Sequence, residues 1–207
     1  MSCTIRRLIY KYRQLKCTHP VLVHGTQIGL LFGLGDLISQ TYFEDTCEID
    51  WMRTAKATAL GTFFVGPLAT KWYMYLDRRI VCPPCKECSK LMLAIKKVLA
   101  NELLAAPVLT AAGMVIIDLM QGKDLDGISC TLSEKYWEIL KMNWLFWSGV
   151  HFFRYMFMIP RNQMVVVKAG MLIWATYLSY KFYLDECINE KMEEECKQLE
   201  KEMEDDD

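Results

Sequence analysis

From Cys17 to Gly35 the chain carries no Asp, Glu, Lys or Arg for nineteen residues, close to the roughly 20 that an α-helix needs to cross a bilayer core of about 30 Å. The other uncharged runs are shorter: Ala57 to Thr70, Leu103 to Ile117, Met142 to Phe153 and Ala169 to Tyr180. None of these passes alone as a span, and runs of this length also suit the buried helices of a soluble bundle. Their flanks favour a membrane. Tyr42, Trp51, Trp72, Tyr73, Tyr75, Tyr136, Trp137, Trp144, Trp147, Tyr177 and Tyr180 gather near run ends, where amphipathic rings sit at a bilayer interface. Lys71, Lys96, Lys168 and Lys181 are near enough to ends to snorkel. No segment alternates cleanly between turn residues, while Gly and Pro punctuate long apolar stretches. The expected fold is all-α: a multispanning transmembrane helical bundle of four spans plus a fifth apolar helix, Met164 to Leu184, whose placement stays open.

The net charge of -1 averages two segments of opposite sign. Residues 185–207 hold twelve acids against three lysines, a tail of -9, which leaves the first 184 residues at +8. Three regions follow: a basic N-terminal segment 1–19, a membrane helical domain 20–184 and an acidic C-terminal tail 185–207. Arg6, Arg7, Lys11, Arg13 and Lys16, with no acid before Asp36, match the style of a mitochondrial targeting segment and equally that of a retained juxtamembrane basic helix. By the positive-inside rule the N-terminus shares a side with the basic stretch Asp77 to Lys97, opposite the acidic stretch Phe43 to Asp50. If Met164 to Leu184 also crosses, the tail lies opposite the N-terminus; otherwise both ends share a side. The odd count of nine cysteines argues for reduced thiols.

Gly25, Gly29 and Gly33 recur every four residues and so share one helical face, where a neighbouring backbone can approach closely. Gly66-Pro67 and Pro107 lie inside apolar stretches, where proline is expected to kink or break a helix. Gly33-Leu34-Gly35 lacks the third glycine and the preceding strand of a dinucleotide fingerprint. Asp36 is a carboxylate in an apolar helix, where charge is costly and faces a partner, water or the helix-end interface. His151 and Arg154, three apart, share a helical face; a buried guanidinium needs an anion, and Glu102 and Asp36 are the candidates. Lining a polar interior and reaching headgroups are the two readings of Arg154. Cys82-Pro83-Pro84-Cys85-Lys86-Glu87-Cys88 is a weak metal or redox candidate with no second ligand cluster. No nucleophile elbow, phosphate loop or zinc-protease helix is present, which argues against an enzyme. The basic residues border apolar runs and form no stripe for nucleic acid.

Gly33-Leu34-Gly35-Asp36-Leu37-Ile38-Ser39-Gln40, Gly66-Pro67 with Trp72-Tyr73 and Leu76-Asp77-Arg78, Lys97-Val98-Leu99, Pro107, Asn143-Trp144, Trp147, and Trp174 with Tyr177-Leu178-Ser179 stand in a telling order. Over residues 20 to 181 the chain resembles the Mpv-seventeen and twenty-two-kilodalton peroxisomal membrane protein family. The resemblance implies a small four-span protein of the mitochondrial inner membrane or, as the alternative, the peroxisomal membrane. Some members are described as weakly selective small-solute pores, and no cofactor is implied. The departures fall on polar positions: Asn101-Glu102 for an Asp-Gln pair, His151 and Arg154 for Gln and Asn, Gln163 for Arg, and Ser148 for Pro.

The first functional expectation is a passive small-solute pore with Asp36, Gln40, Asn101, Glu102, His151 and Arg154 as intramembrane polar residues, and Gly25, Gly29, Gly33, Gly66 and Pro67 as packing positions. The second is a nonconducting scaffold whose acidic tail docks a basic partner, such as a ribosome-assembly or import factor. The lipid bilayer is the expected surrounding; a homo-oligomer and a tail-bound protein are the further partners considered, and nucleic acid is not expected.

Overall fold

Helix is the only regular structure among the described residues of the computed structural model, which are 3–44, 49–82, 89–159 and 163–205. In chain order they form α1 (Cys3–Thr18), α2 (Pro20–Tyr42), α3 (Trp51–Ala59), α4 (Gly66–Arg79), α5 (Lys90–Ala100), α6 (Ala106–Gln121), α7 (Leu125–Phe157) and α8 (Gln163–Asp205). Two π-helical turns, Leu60–Val65 and Asn101–Ala105, join α3 to α4 and α5 to α6 without a break.

Each π turn runs up to a proline. Pro67 and Pro107 stand in the first turns of α4 and α6, and the residues before them, Gly66 and Ala106, donate their N–H to the carbonyls of Gly61 and Asn101. Those bonds reach five residues back instead of four, and the extra backbone residue relieves the clash that a proline ring makes with the preceding turn. Of the two outcomes the sequence allowed, a kink or a break, the prolines therefore do not break the helices. Lys90–Gln121 becomes one helix of 32 residues and, with Pro20–Tyr42, one of two among the described residues that are long and apolar enough to cross a membrane. The run Leu103 to Ile117, too short by itself, gains its length this way.

Local signals set the ends. Asp50 caps α3 by accepting the N–H groups of Met52 at 2.8 Å and Arg53 at 3.0 Å. Gly122, at φ 84°, ends α6 while Lys123 N–H donates to the Asp118 carbonyl at 3.1 Å, the six-to-one bond of a left-handed glycine terminus. Asp124 then accepts from Gly127 N–H at 2.9 Å and starts α7.

Helix α2 is the centre of the packing. Its glycine face meets α3, the first π turn and α4 in antiparallel fashion: an added Cβ would lie 3.0 Å from the Thr62 carbonyl at Gly25, 1.8 Å from Thr62 Oγ1 at Gly29 and 2.2 Å from Thr58 Oγ1 at Gly33. From the other side, Gly66 would place a Cβ 2.5 Å from the Gly25 Cα. All five packing positions expected from sequence stand in this contact, with the Pro67 ring against Gly25. Off that face, Gly35 abuts Ala175 of α8. Along this seam Gln27 meets Lys168, Asp36 meets Ser179 and Phe43 meets Tyr180, so residue numbers rise together and α8 runs parallel to α2. α6 and α7 form an antiparallel pair, with Tyr136 Oη donating to the Pro107 carbonyl at 3.3 Å.

Large apolar side chains point outward along the helix middles: Phe63 is 81% and Leu145 74% exposed, and Leu30, Leu103, Val108 and Ile173 are also exposed. The aromatic residues divide. Tyr42, Trp51, Tyr75 and Trp137 are exposed, but Tyr73 and Trp147 are buried in the core beside Trp174, so those two are not the interfacial rings that their positions suggested. They contribute packing.

Gly29→Val should destabilise the detergent-solubilised protein by about 1–3 kcal/mol or more for overpacking, read as a lower thermal midpoint. Gly113→Ala, where a Cβ meets nothing within 4 Å, should be neutral or gain up to about 1 kcal/mol from helix propensity. Equal losses at both positions would contradict the close-packed face.

Candidate functional site

At the end of α2 where residue 42 lies, polar side chains from three helices close into one knot. Asp36, 1% exposed, accepts from Gln40 Nε2 at 2.7 Å and Thr54 Oγ1 at 2.6 Å through Oδ2. Its Oδ1 receives Ser179 Oγ and lies 3.0 Å from Arg53 Nε. The Arg53 guanidinium also grips Glu44, with Nη1 to Oε2 at 2.7 Å and Nη2 to Oε1 at 2.6 Å, a bidentate pair. Nη2 reaches Ser179 Oγ at 2.6 Å as well. Ser39 Oγ donates to Glu44 Oε1 at 2.7 Å, and Gln40 Oε1 accepts from Asp50 N–H at 2.7 Å. The knot ties α2, α3 and α8 together. Arg53, not Arg154, is the partner of Asp36, which corrects the pairing suggested by sequence.

The second π turn positions Asn101 and Glu102, both buried. Trp72 Nε1 donates to Asn101 Oδ1 at 3.0 Å, Asn101 Nδ2 to Glu102 Oε1 at 3.1 Å, and Trp144 Nε1 to the Glu102 carbonyl at 2.8 Å. Glu102 Oε2 has no hydrogen-bond partner. His151 and Arg154, each 1% exposed, lie on the α7 face toward α4. The Tyr73 hydroxyl is 3.4 Å from His151 Nε2, and the Arg154 guanidinium sits over the rings of Tyr73 at 4.6 Å and Tyr155 at 4.7 Å. At 1% exposure Arg154 does not reach headgroups.

Sequence reasoning missed Arg53, Glu44, Thr54 and Ser179, and also Asp118, which is fully buried and paired with Lys123 at 2.8 Å. Arg53 stands just inside an Asp-capped helix start, four residues from the apolar run, and no spacing rule links it to Asp36 or Ser179. Only the N-cap position of Asp50 was readable.

Two partly open cavities of about 120 Å³ each lie between the helices. The first is lined by Asn101, Asn143, Thr110, Tyr73 and His151 among apolar residues, the second by Asp36, Arg53, Lys56, Gln121 and Ser179. Phe32, Leu60, Ile117, Leu178 and Phe182 line both, an apolar wall shared by two mainly apolar cavities that each carry a few polar groups. Of the expected intramembrane polar residues, Asp36, Asn101 and His151 line these cavities; Gln40 is taken up by the knot, Glu102 is held by Asn101 through one carboxylate oxygen, and Arg154 stands behind Tyr73. Cys82 is disulfide-bonded, against the expectation of reduced thiols, while Cys85 and Cys88 lie outside the described residues. Among the described residues no group of three His, Cys, Asp or Glu could hold a metal.

An apolar perimeter around inward-turned charges is the reverse of a water-soluble bundle and defines an integral membrane protein. Residues 118–179 match the model of the Mpv17 / PMP22 family. The chain is 31% identical over 172 residues to the mitochondrial inner membrane protein Mpv17 of Danio rerio, covering 82% of this chain and 94% of that protein. It is 29% identical over 171 residues to Protein SYM1 of Eremothecium gossypii (82% and 92%) and 26% over 181 residues to Peroxisomal membrane protein 2 of Bos taurus (84% and 89%). No solved structure matches it. The chain belongs to the Mpv17 / PMP22 family, an organelle-membrane family whose members place it in the mitochondrial inner membrane, with the peroxisomal membrane as the alternative.

Arg53→Met would leave the Asp36 and Glu44 carboxylates without their cation. A loss of about 3 kcal/mol or more is expected for such a broken pair, read as a lower unfolding midpoint. A change within about 0.5 kcal/mol would remove the knot from the stability of the fold.

Proposed function

We propose that the protein is a non-enzymatic, weakly selective pore that lets small solutes diffuse passively across an organelle membrane. The observation that carries this reading is a pair of neighbouring cavities, each with polar groups in its lining, that share one apolar wall. Solute would pass from the chamber of Asp36, Arg53, Lys56 and Gln121, through Phe32, Leu60, Ile117, Leu178 and Phe182, to the chamber of Asn101, Asn143 and His151. An apolar constriction gates by wetting, and the charged chamber biases which ions enter. Leu60→Ala with Phe182→Ala should raise the single-channel conductance of purified protein in planar bilayers several-fold. Silence of folded wild-type and widened protein alike, across voltage, would overturn the pore.

The membrane arrangement that fits is five crossings instead of four. α8 lies parallel to α2 along the apolar stretch of both, so residues 163–184 cross wherever α2 crosses. Helix α1 and the facing ends of α4 and α5, which belong to the basic stretch Asp77 to Lys97, then share one side, opposite the C-terminal ends of α2 and α8, as charge asymmetry favours. Tags at the two ends should differ in protease protection in sealed mitoplasts. Equal protection would restore an even number of spans.

The scaffold reading draws on α8, whose 43 residues extend to about 65 Å at 1.5 Å per residue, twice the bilayer core. Its acidic end would dock a basic partner beyond the membrane. Deleting residues 185–207 should abolish partner recovery and leave conductance unchanged if the tail is a docking element; conductance changing with recovery intact would oppose it.

A further inference from the structure

We infer that His151, Arg154, Tyr73 and Tyr155 form a binding site for a small dissolved oxyanion, a carboxylate or phosphate, within the bundle. The argument is an imbalance of hydrogen-bond types. Arg154 Nε and Nη1, His151 Nδ1 and Tyr155 Oη are all buried with no hydrogen-bond partner. When the Tyr73 hydroxyl donates to His151 Nε2, the ring proton stands on Nδ1, so three of the four orphaned atoms are donors only and the fourth, the Tyr155 hydroxyl, can donate as well as accept. What the cluster lacks is an acceptor.

The orphans are neighbours. His151, Arg154 and Tyr155 lie within one turn of α7, with the His151 and Tyr155 rings 6.4 Å apart and the guanidinium 4.6–4.7 Å from the two tyrosine rings. No carboxylate forms an ion pair with Arg154 among the described residues. Asp77 is bound by Lys97 at 2.6 Å, Asp36 belongs to Arg53 at 3.0 Å, and Glu102 takes Asn101 at 3.1 Å through Oε1 and leaves Oε2 unmatched without pairing to Arg154. Tyrosine faces attract the cation but leave its in-plane N–H groups unmet. A guanidinium buried without an anion costs several kcal/mol, and an oxyanion matches its fork.

The first cavity, mainly apolar in its lining, borders the cluster at His151 and Tyr73, and its volume of about 120 Å³ exceeds the roughly 10–15 Å³ that one water needs on the same measure. This gives a dissolved ion room to arrive. A lipid headgroup is the other source of the same chemistry, but the 1% exposure of Arg154 argues for the dissolved one. The site goes beyond the pore reading and does not depend on it, because occupancy is measured without conduction.

Full-length protein in maltoside micelles, which carry no phosphate, is titrated with sodium acetate and with inorganic phosphate at fixed ionic strength, balanced by a bulky sulfonate. A saturable rise in thermal midpoint is expected, roughly 3–6 °C at tenfold the dissociation constant. It should vanish in Arg154→Gln and shift to higher concentration in Tyr155→Phe. If Arg154→Gln does not fold, Tyr155→Phe and His151→Phe carry the comparison, each removing one orphaned donor while keeping a ring. A response in wild type that does not saturate, or one that is unchanged in all the folded variants, would overturn the site. So would stabilisation by added phospholipid alone. A saturable response from a protein silent in planar bilayers would sink the pore and leave the site standing.

Discussion

The fold depends on how closely a second helix can lie against α2. Where Gly25, Gly29 and Gly33 expose bare backbone, the threonines of α3 and the first π turn come so near that any Cβ would collide with them. In lipid there is no hydrophobic gain from pressing two apolar helices together, and close packing of small residues takes its place. That approach sets Thr54 and Arg53 within reach of Asp36, and Gly35 on another face does the same for α8 and Ser179. Three helices are thus held by one bare helix.

The two charged centres of the interior solve the same problem with different completeness. Around Asp36 each carboxylate oxygen has its donors, with Arg53 shared between Asp36 and Glu44. Around Arg154 the cation is enclosed by aromatic faces, and its Nε and Nη1 have nothing to meet. A closed network in a low-dielectric interior rigidifies, whereas an incomplete one holds a place for something else. The difference separates a structural joint from a binding site in one bundle.

The π turns connect backbone to site. Spacing relaxed for Pro107 turns the Glu102 carbonyl to Trp144 and sets Asn101 toward Trp72. One proline thereby shapes both helix continuity and the polar wall of a cavity, which is the usual company of π turns and function.

Helical character, the glycine face, the acidic tail and the burial cost of Asp36 and Arg154 were legible in the linear chain, because each is a local property: periodicity, charge run, or a charge inside an apolar run. The family followed from the order of Gly66-Pro67, Trp72-Tyr73, Asn143-Trp144 and Trp174. The pairing of Asp36 with Arg53 was not legible, nor the core places of Trp147 and Trp174, nor the orphaned donors of His151 and Tyr155. Those depend on which helices become neighbours and in which direction each runs. Spacing along one helix says which residues share a face; whether that face meets lipid, a carboxylate or an empty chamber is decided by the rotation and contact of helices far apart in the chain.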